Sequence, residues 1–405
     1  MLLPLLTAFS LKAQAPAPPV MNVLHSFSSA SGSFPASVLI SNGNGGLYGT
    51  ASSGGAAGQG VVFKLAPPQA GSRWTYLVLY SFLGSGDGSH PGNGLIFDAG
   101  GNIFGVTAYG GEKGAGTVFE LKPPVPGSTA WTETVVYSFT GGADGANPLA
   151  PLVLGSDGSL YGTAAGGLSG RGVAFMLQPP TTAGSSWKYT LLHNFEGGAD
   201  GAVPAGSLVF GRRGRLYGFT NAGGASNLGT VFELIPPQGA GGWTEAVIYS
   251  FHGGTDGSGP LGAPVFDGYS NLYGNTVGGG ASGMGTVFQL KVPATSGAGW
   301  TEFVRYSFRG GADGANPSGA MIFGTNGVLY GTTLFGGPAN AGTVFQLGTP
   351  ASPQGGWVES VLQTFSGANG ARPQAGVVFG SGGTLYGTTL LGGSSQSGTL
   401  FKLIL

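Results

Sequence analysis

The chain has 405 residues, among them 84 glycines, 26 prolines and no cysteine, and its formal net charge is −1 with only 8% of residues charged. So few charges leave no basic stripe for a phosphate backbone, which argues against a nucleic-acid partner, and without cysteine no disulfide framework holds the fold. The 41% hydrophobic and 11% aromatic content offers enough apolar surface to offset the entropy of ordering, so a folded chain is expected despite the glycine.

Residues 1–20 read as an export signal and an irregular tail. An apolar stretch from Leu2 to Leu11 precedes Ala13-Gln14-Ala15, the small-x-small form of a signal-peptidase site. The absence of a basic residue before the run and the proline after the proposed cut depart from the usual pattern. Nothing beyond residue 20 is long and apolar enough to span a bilayer, so no transmembrane segment is expected in the mature chain.

From residue 21 to 405 the chain is one array. A phrase of the type LYGT…GG…GTVF.L starts at Leu47, Ile103, Leu160, Leu216, Leu272, Leu329 and Leu385, at intervals of 56, 57, 56, 56, 57 and 56 residues. A period so regular marks a repeat architecture, here expected as a single unit.

Each period holds four strand-like runs bounded by Gly, Pro, Asn or Asp. In the second copy they are a run after Pro91 including GLIF, then NIFGVT, GTVFELK and WTETVVYSF. Four short strands per period predict a propeller blade, and seven copies predict an all-β, seven-bladed β-propeller with four antiparallel strands per blade. Glycine follows Tyr or Phe in every copy, at Gly49, Gly105, Gly162, Gly218, Gly274, Gly331 and Gly387, and is expected to allow tight packing between neighbouring blades. Small residues such as Gly92, Asn93 and Gly94 in the first run suit seven strands converging on one axis.

All six tryptophans, from Trp74 to Trp357, open fourth runs, and no fourth run follows Leu403. It recurs at the other end as VLHSF, residues 23–27, matching VLYSF at 78–82. The N-terminal strand is therefore expected to complete the last blade and remove an unpaired edge.

Antiparallel blades place the fourth-to-first and second-to-third loops on one face. The first set carries Asp87, Asp144, Asp200, Asp256 and Asp313, each four residues before a proline, with Asn369 and Ser31 in the other two places. One acid per loop is weak ligation for calcium or magnesium, whereas Asp-Gly is turn chemistry, so this ring is read as structural and no metal is expected. His25 and His193 replace a fourth-strand Tyr and read as packing variants. Glu196, His252 and Arg309 follow the fourth strand on consecutive blades and read as solvated rim charges.

The second-to-third loops vary most between copies. Tyr109, Glu112, Lys113, Asn221, Leu334 and Phe335 are therefore the candidate ligand-binding residues. On the opposite face, Arg212, Arg213 and Arg215 crowd a single turn; an anion site and plain solvation are both open readings, the second preferred. No nucleophile motif, metal-spaced histidine pair or phosphate loop occurs, so neither catalytic residues nor a cofactor are expected.

The repeated phrase resembles the GloVer tandem repeats of bacterial surface proteins, over nearly everything from Val23 to Leu403. The resemblance implies an exported bacterial protein and brings no catalytic residues with it. This chain departs from it in a third copy one residue shorter in its loop, and no anchor follows Leu405. The expected function is a monomeric, non-enzymatic binding or scaffold protein of the cell exterior, with a glycan or surface protein as ligand. The alternative is an extracellular enzyme acting on polysaccharide, which would need acids converging near the axis.

Overall fold

The computed structural model describes residues 18–69, 73–182, 184–295, 298–325, 327–350 and 356–405. The apolar stretch and small-x-small triplet read as an export signal lie outside them.

The phrase starting at each Leu or Ile becomes the second and third strands of a blade. In blade 1 these are Leu47–Ala51 and Val61–Ala66, flanked by an inner strand, Ile40–Ser41, and an outer one, Thr75–Ser81. Every residue of Leu47–Ala51 is buried. Continuous burial follows from having a neighbouring blade on each face, and it explains why these strands are apolar throughout rather than alternating.

Seven such antiparallel sheets form a seven-bladed β-propeller. The last sheet is completed from the other end of the chain: Val20–Ser26 pairs antiparallel with Thr399–Ile404, Val23 standing opposite Phe401. The ring is closed by hydrogen bonds, and no blade is left with an unpaired third strand.

In three respects the strands differ from expectation. The inner strand is mostly interrupted: in blade 2 it is Ser89–Pro91 and Ile96–Phe97, with Gly92 to Leu95 between, and only in blade 5 does it run unbroken, as Ser258–Phe266. The interruption arises because the axial residues bond to neighbouring blades; Val38 N–H donates to Asn93 O, and Asn93 N–H to Leu149 O. The outer strands begin after the tryptophan and stop before the terminal Phe, as in Thr132–Ser138. Each is bulged against the third strand in all seven blades, which no sequence signal marked.

The conserved-looking glycine also packs differently. A Cβ on Gly49 would lie 2.7 Å from the Phe63 ring and 3.0 Å from Leu39, both of its own blade. Phe63 is its cross-strand partner, so this glycine makes room for a ring lying across its own sheet, whereas Gly274 also admits Phe219 of the neighbouring blade, 2.6 Å from where its Cβ would be.

Between blades the contact is aromatic. The Phe after each outer strand meets the third-strand Phe of the next blade edge-on, as in Phe27–Phe63, Phe82–Phe119 and Phe139–Phe175, and all seven such pairs lie at 5.1–5.2 Å between ring centroids. Edge-to-face pairs add about 0.5–1.5 kcal/mol each beyond their burial. Tryptophans add a second layer of the same kind, with Trp74 against Tyr386 at 5.7 Å and Trp243 against Tyr161 at 5.9 Å.

Candidate functional site: the axial mouth

The outer-to-inner connections begin with the aspartate turns. Asp144 accepts from the Thr140 N–H at 2.8 Å, the Tyr137 hydroxyl at 2.9 Å and the Thr140 hydroxyl, while Gly145 takes φ of +89°. Burial pushes the Asp144 pKa up, but these hydrogen bonds outweigh it and hold the carboxyl below its ordinary value. Asp87, Asp200, Asp256 and Asp313 clasp their turns in the same way, through the N–H of Leu83, Glu196, His252 and Arg309. In place of the tyrosine, His193 meets Asp200 at 3.1 Å and His25 meets Ser31 at 3.2 Å.

Two residues past each such turn's glycine stands the residue before the proline, and seven of these ring the axis. They are Phe34, His90, Asn147, Val203, Gly259, Asn316 and Arg372, with φ between +49° and +62°. A left-handed residue other than glycine is strained by roughly 1–2 kcal/mol, more so when β-branched or bulky. Here six of the seven are not glycine, and what holds them is a bond across the seam. Each N–H donates to a carbonyl in the glycine-rich loop of the preceding blade, for example His90 to Gln59 at 2.8 Å, Val203 to Arg171 at 2.7 Å and Arg372 to Ala341 at 2.7 Å. The following proline packs on a loop glycine; a Cβ on Gly60 would lie 2.3 Å from Pro91. The glycine-rich loops are thus sockets for the next blade's X-Pro pair.

Inside the ring lies a cavity of about 300 Å³. Leu149, Val203 and Leu261, from three successive blades, form an aliphatic wall, and Asn93, Asn147 and Gln374 supply amides. Leu149 and Val203 are 50% and 52% exposed. No charged side chain lines the cavity.

Of the sequence candidates, Tyr109 meets His90 edge-on at 5.4 Å, Phe335 lies 5.4 Å beneath the Arg372 guanidinium, and the Asn221 amide lies 3.0 Å from where a Cβ on Gly259 would be. Leu334 adjoins Phe335. Glu112 and Lys113 stand exposed at their loop tip instead. The ring residues themselves went unnoticed in sequence, although their prolines, from Pro35 to Pro373, keep the repeat's own spacing.

At four outer seams a turn aspartate faces a glutamate of the next blade's outer strand: Asp87 and Glu133, Asp200 and Glu245, Asp256 and Glu302, Asp313 and Glu359. Burial first, then the facing aspartate, raises Glu133, Glu245 and Glu302 to about 7 and Glu359 to about 8. Each glutamate has a buried Oε1 without a hydrogen-bond partner. Elsewhere Tyr189 stands in the glutamate's place and donates to Asp144 O, and Tyr76 donates to Ser31 O. Among the described residues, no group of three or more His, Cys, Asp or Glu is placed to hold a metal.

The Gloeobacter/Verrucomicrobia repeat profile matches residues 7–232, 126–288 and 213–405. The chain belongs to that family. No curated protein matches it. Among solved structures it is similar to the BP39L lectin of Burkholderia pseudomallei, at 13% identity and a TM-score of 0.52, covering 92% of this chain and 96% of that one. It is also similar to a Bacteroides uniformis protein assigned as a 6-phosphogluconolactonase, at 14% identity and a TM-score of 0.52, covering 84% and 88%. At such identities the family repeat and these structures share architecture. No helix among the described residues is long and apolar enough to cross a membrane.

Proposed function

We propose that this Gloeobacter/Verrucomicrobia repeat chain is a non-enzymatic binding protein of the bacterial cell exterior that takes a neutral glycan at the axial mouth. The observation that carries this reading is the uncharged cavity, lined by the amide residues Asn93, Asn147 and Gln374 together with the aliphatic Leu149, Val203 and Leu261, the Asn147 amide nitrogen also donating to the Ala108 carbonyl. A sugar ring offers hydroxyls at its edge and C–H groups on its faces, and such a lining answers both.

The enzyme reading has one observation behind it. Asp256, Glu302 and His252 line a seam cleft of about 410 Å³, and His252 Nδ1 lies 3.5 Å from Asp256. The same Asp–Glu pairing recurs at three further seams, however, and fourfold recurrence at the rim is the pattern of a structural element rather than of one catalytic centre.

The test is retention on an array of neutral oligosaccharides and proteins by the whole chain and by Leu149→Asp, which sets a charge in the mouth. Glycan retention lost in the variant supports the reading; protein retention alone, or release of reducing ends from any polysaccharide, overturns it. Fractionation of cells expressing the native gene checks the exterior location.

A further inference from the structure

The inner-to-second turns lie on the face opposite the axial mouth, and their symmetry breaks in blade 4. Arg212, Arg213 and Arg215 occupy that turn, whereas the corresponding turns of the other six blades contain no basic residue at all. In a chain with 15 lysines and arginines, three in four positions is a strong local concentration. The turn borders a cleft of about 870 Å³ at the seam of blades 4 and 5, within the size range of small-ligand sites.

The three arginines have different tasks. Arg215 is spent on structure, its Nη1 lying 2.7 and 2.8 Å from the two carboxylate oxygens of the buried Glu233. Arg212 and Arg213 are exposed and have no ion pair among the described residues. Arg213 holds φ of +59°, where the equivalent turn of blade 7 has Gly382 at +67°. Across the cleft Ser270 is also left-handed, at +68°, and its neighbour Tyr269 is 82% exposed. Ser270 keeps a left-handed place that glycine fills in the other six blades, and Arg213 one that glycine fills in blade 7, so turn geometry accounts for both; what sets this cleft apart is the pair of exposed arginines at its edge.

The walls of the cleft are aromatic. Tyr217 packs edge-on against Phe266 at 5.1 Å and Trp300 at 6.2 Å, and all three line the cleft together with Val292, Pro293 and Thr295. Two free guanidinium forks match carboxylates in a planar, bidentate way. Aromatic and aliphatic walls suit the C–H faces of pyranose rings. A polyphosphate backbone is a poor match, since no basic track continues beyond this turn.

We infer that the blade 4–5 cleft is a second binding site, for an acidic oligosaccharide whose uronate carboxylates pair with Arg212 and Arg213 while its rings lie along Tyr217, Phe266 and Trp300. It is independent of the axial mouth.

The experiment is calorimetric titration of the whole chain with a hexasaccharide of galacturonate, with maltohexaose as the neutral probe and inorganic sulfate as competitor. The uronate binds, more weakly as salt rises, and maltohexaose does not bind at this cleft. Arg212→Ala combined with Arg213→Gly weakens uronate binding at least about tenfold, the loss of roughly one charge-assisted pair. That variant melts no lower than the native chain, because glycine relieves the left-handed strain, so a folding defect cannot imitate the result. Leu149→Asp at the axial mouth leaves uronate affinity unchanged. Absence of uronate binding, equal binding by the double variant, or displacement by equimolar sulfate would each overturn the assignment, the last by reducing the cleft to a simple anion site.

Discussion

The backbone N–H of Phe34 donates to the carbonyl of Ser397 at 2.9 Å, and Pro35 beside it packs on Gly398. Residues from the two ends of the chain thus repeat the clasp that joins every other pair of blades, so the seam where the circle closes is built like the rest.

Closure makes the N-terminal strand structural. Removing residues 1–28 takes away both Val20–Ser26 and Phe27, leaving Thr399–Ile404 as an open edge and Phe63 without its partner. The expected outcome is aggregation or a large fall in melting temperature, whereas removal of residues 1–19 has little effect. Light scattering and thermal melts of the two truncations decide it; equal stability would refute the closed ring.

The sockets differ sharply from the loop tips. Gly116 has φ of +100°, and a Cβ there would lie 2.4 Å from Thr107 O and 2.7 Å from Pro148; Gly114, at +75°, has nothing within 4 Å. Gly114→Ala should therefore destabilise by about 1 kcal/mol from backbone strain alone. Gly116→Ala should destabilise by at least about 2–3 kcal/mol, since strain is joined by a clash with backbone that cannot yield. Chemical denaturation of both variants would expose an error if their losses matched.

Asp144 is itself buried beneath an exposed turn and accepts three hydrogen bonds there. Asp144→Ala should destabilise by about 2 kcal/mol and Asp144→Asn by less, with no response to calcium or chelator. Its folded pKa lies below the ordinary value, so its contribution is complete above the unfolded aspartate range and fades as pH falls through the folded value. A chelator-induced fall in melting temperature would contradict the turn role.

Glu359 works in the opposite sense. Its pKa is raised to about 8 by burial and by Asp313, so the folded chain holds this proton more tightly than the unfolded chain does. Its contribution is full below the unfolded glutamate range and is lost as pH rises toward about 8. Glu359→Gln should flatten that dependence and melt above the native chain at alkaline pH. A native melting temperature that is constant or rising between mildly acid and mildly alkaline pH would dispose of the effect.

The array, its seven starts and its closure were legible in sequence because they are encoded in near neighbours. Tyr-Gly, Asp-Gly and the alternation of apolar runs with turns are local signals, and the missing fourth run after Leu403 needed only counting. Asp-Gly likewise announced a turn, since the side chain clasps an N–H four residues away in its own loop.

What crosses a seam was not legible. His90 reveals its left-handed backbone only against Gln59, Glu359 its raised pKa only against Asp313, and Arg213 its place at a cleft only once Trp300 stands in the facing wall. Local composition fixes what one blade can be, whereas contacts between blades depend on the twist and spacing with which packed sheets settle around the axis. Tertiary structure alone therefore decided that the glycine-rich loops are sockets, that the X-Pro residues form a strained ring, and that three arginines border a cleft rather than open solvent.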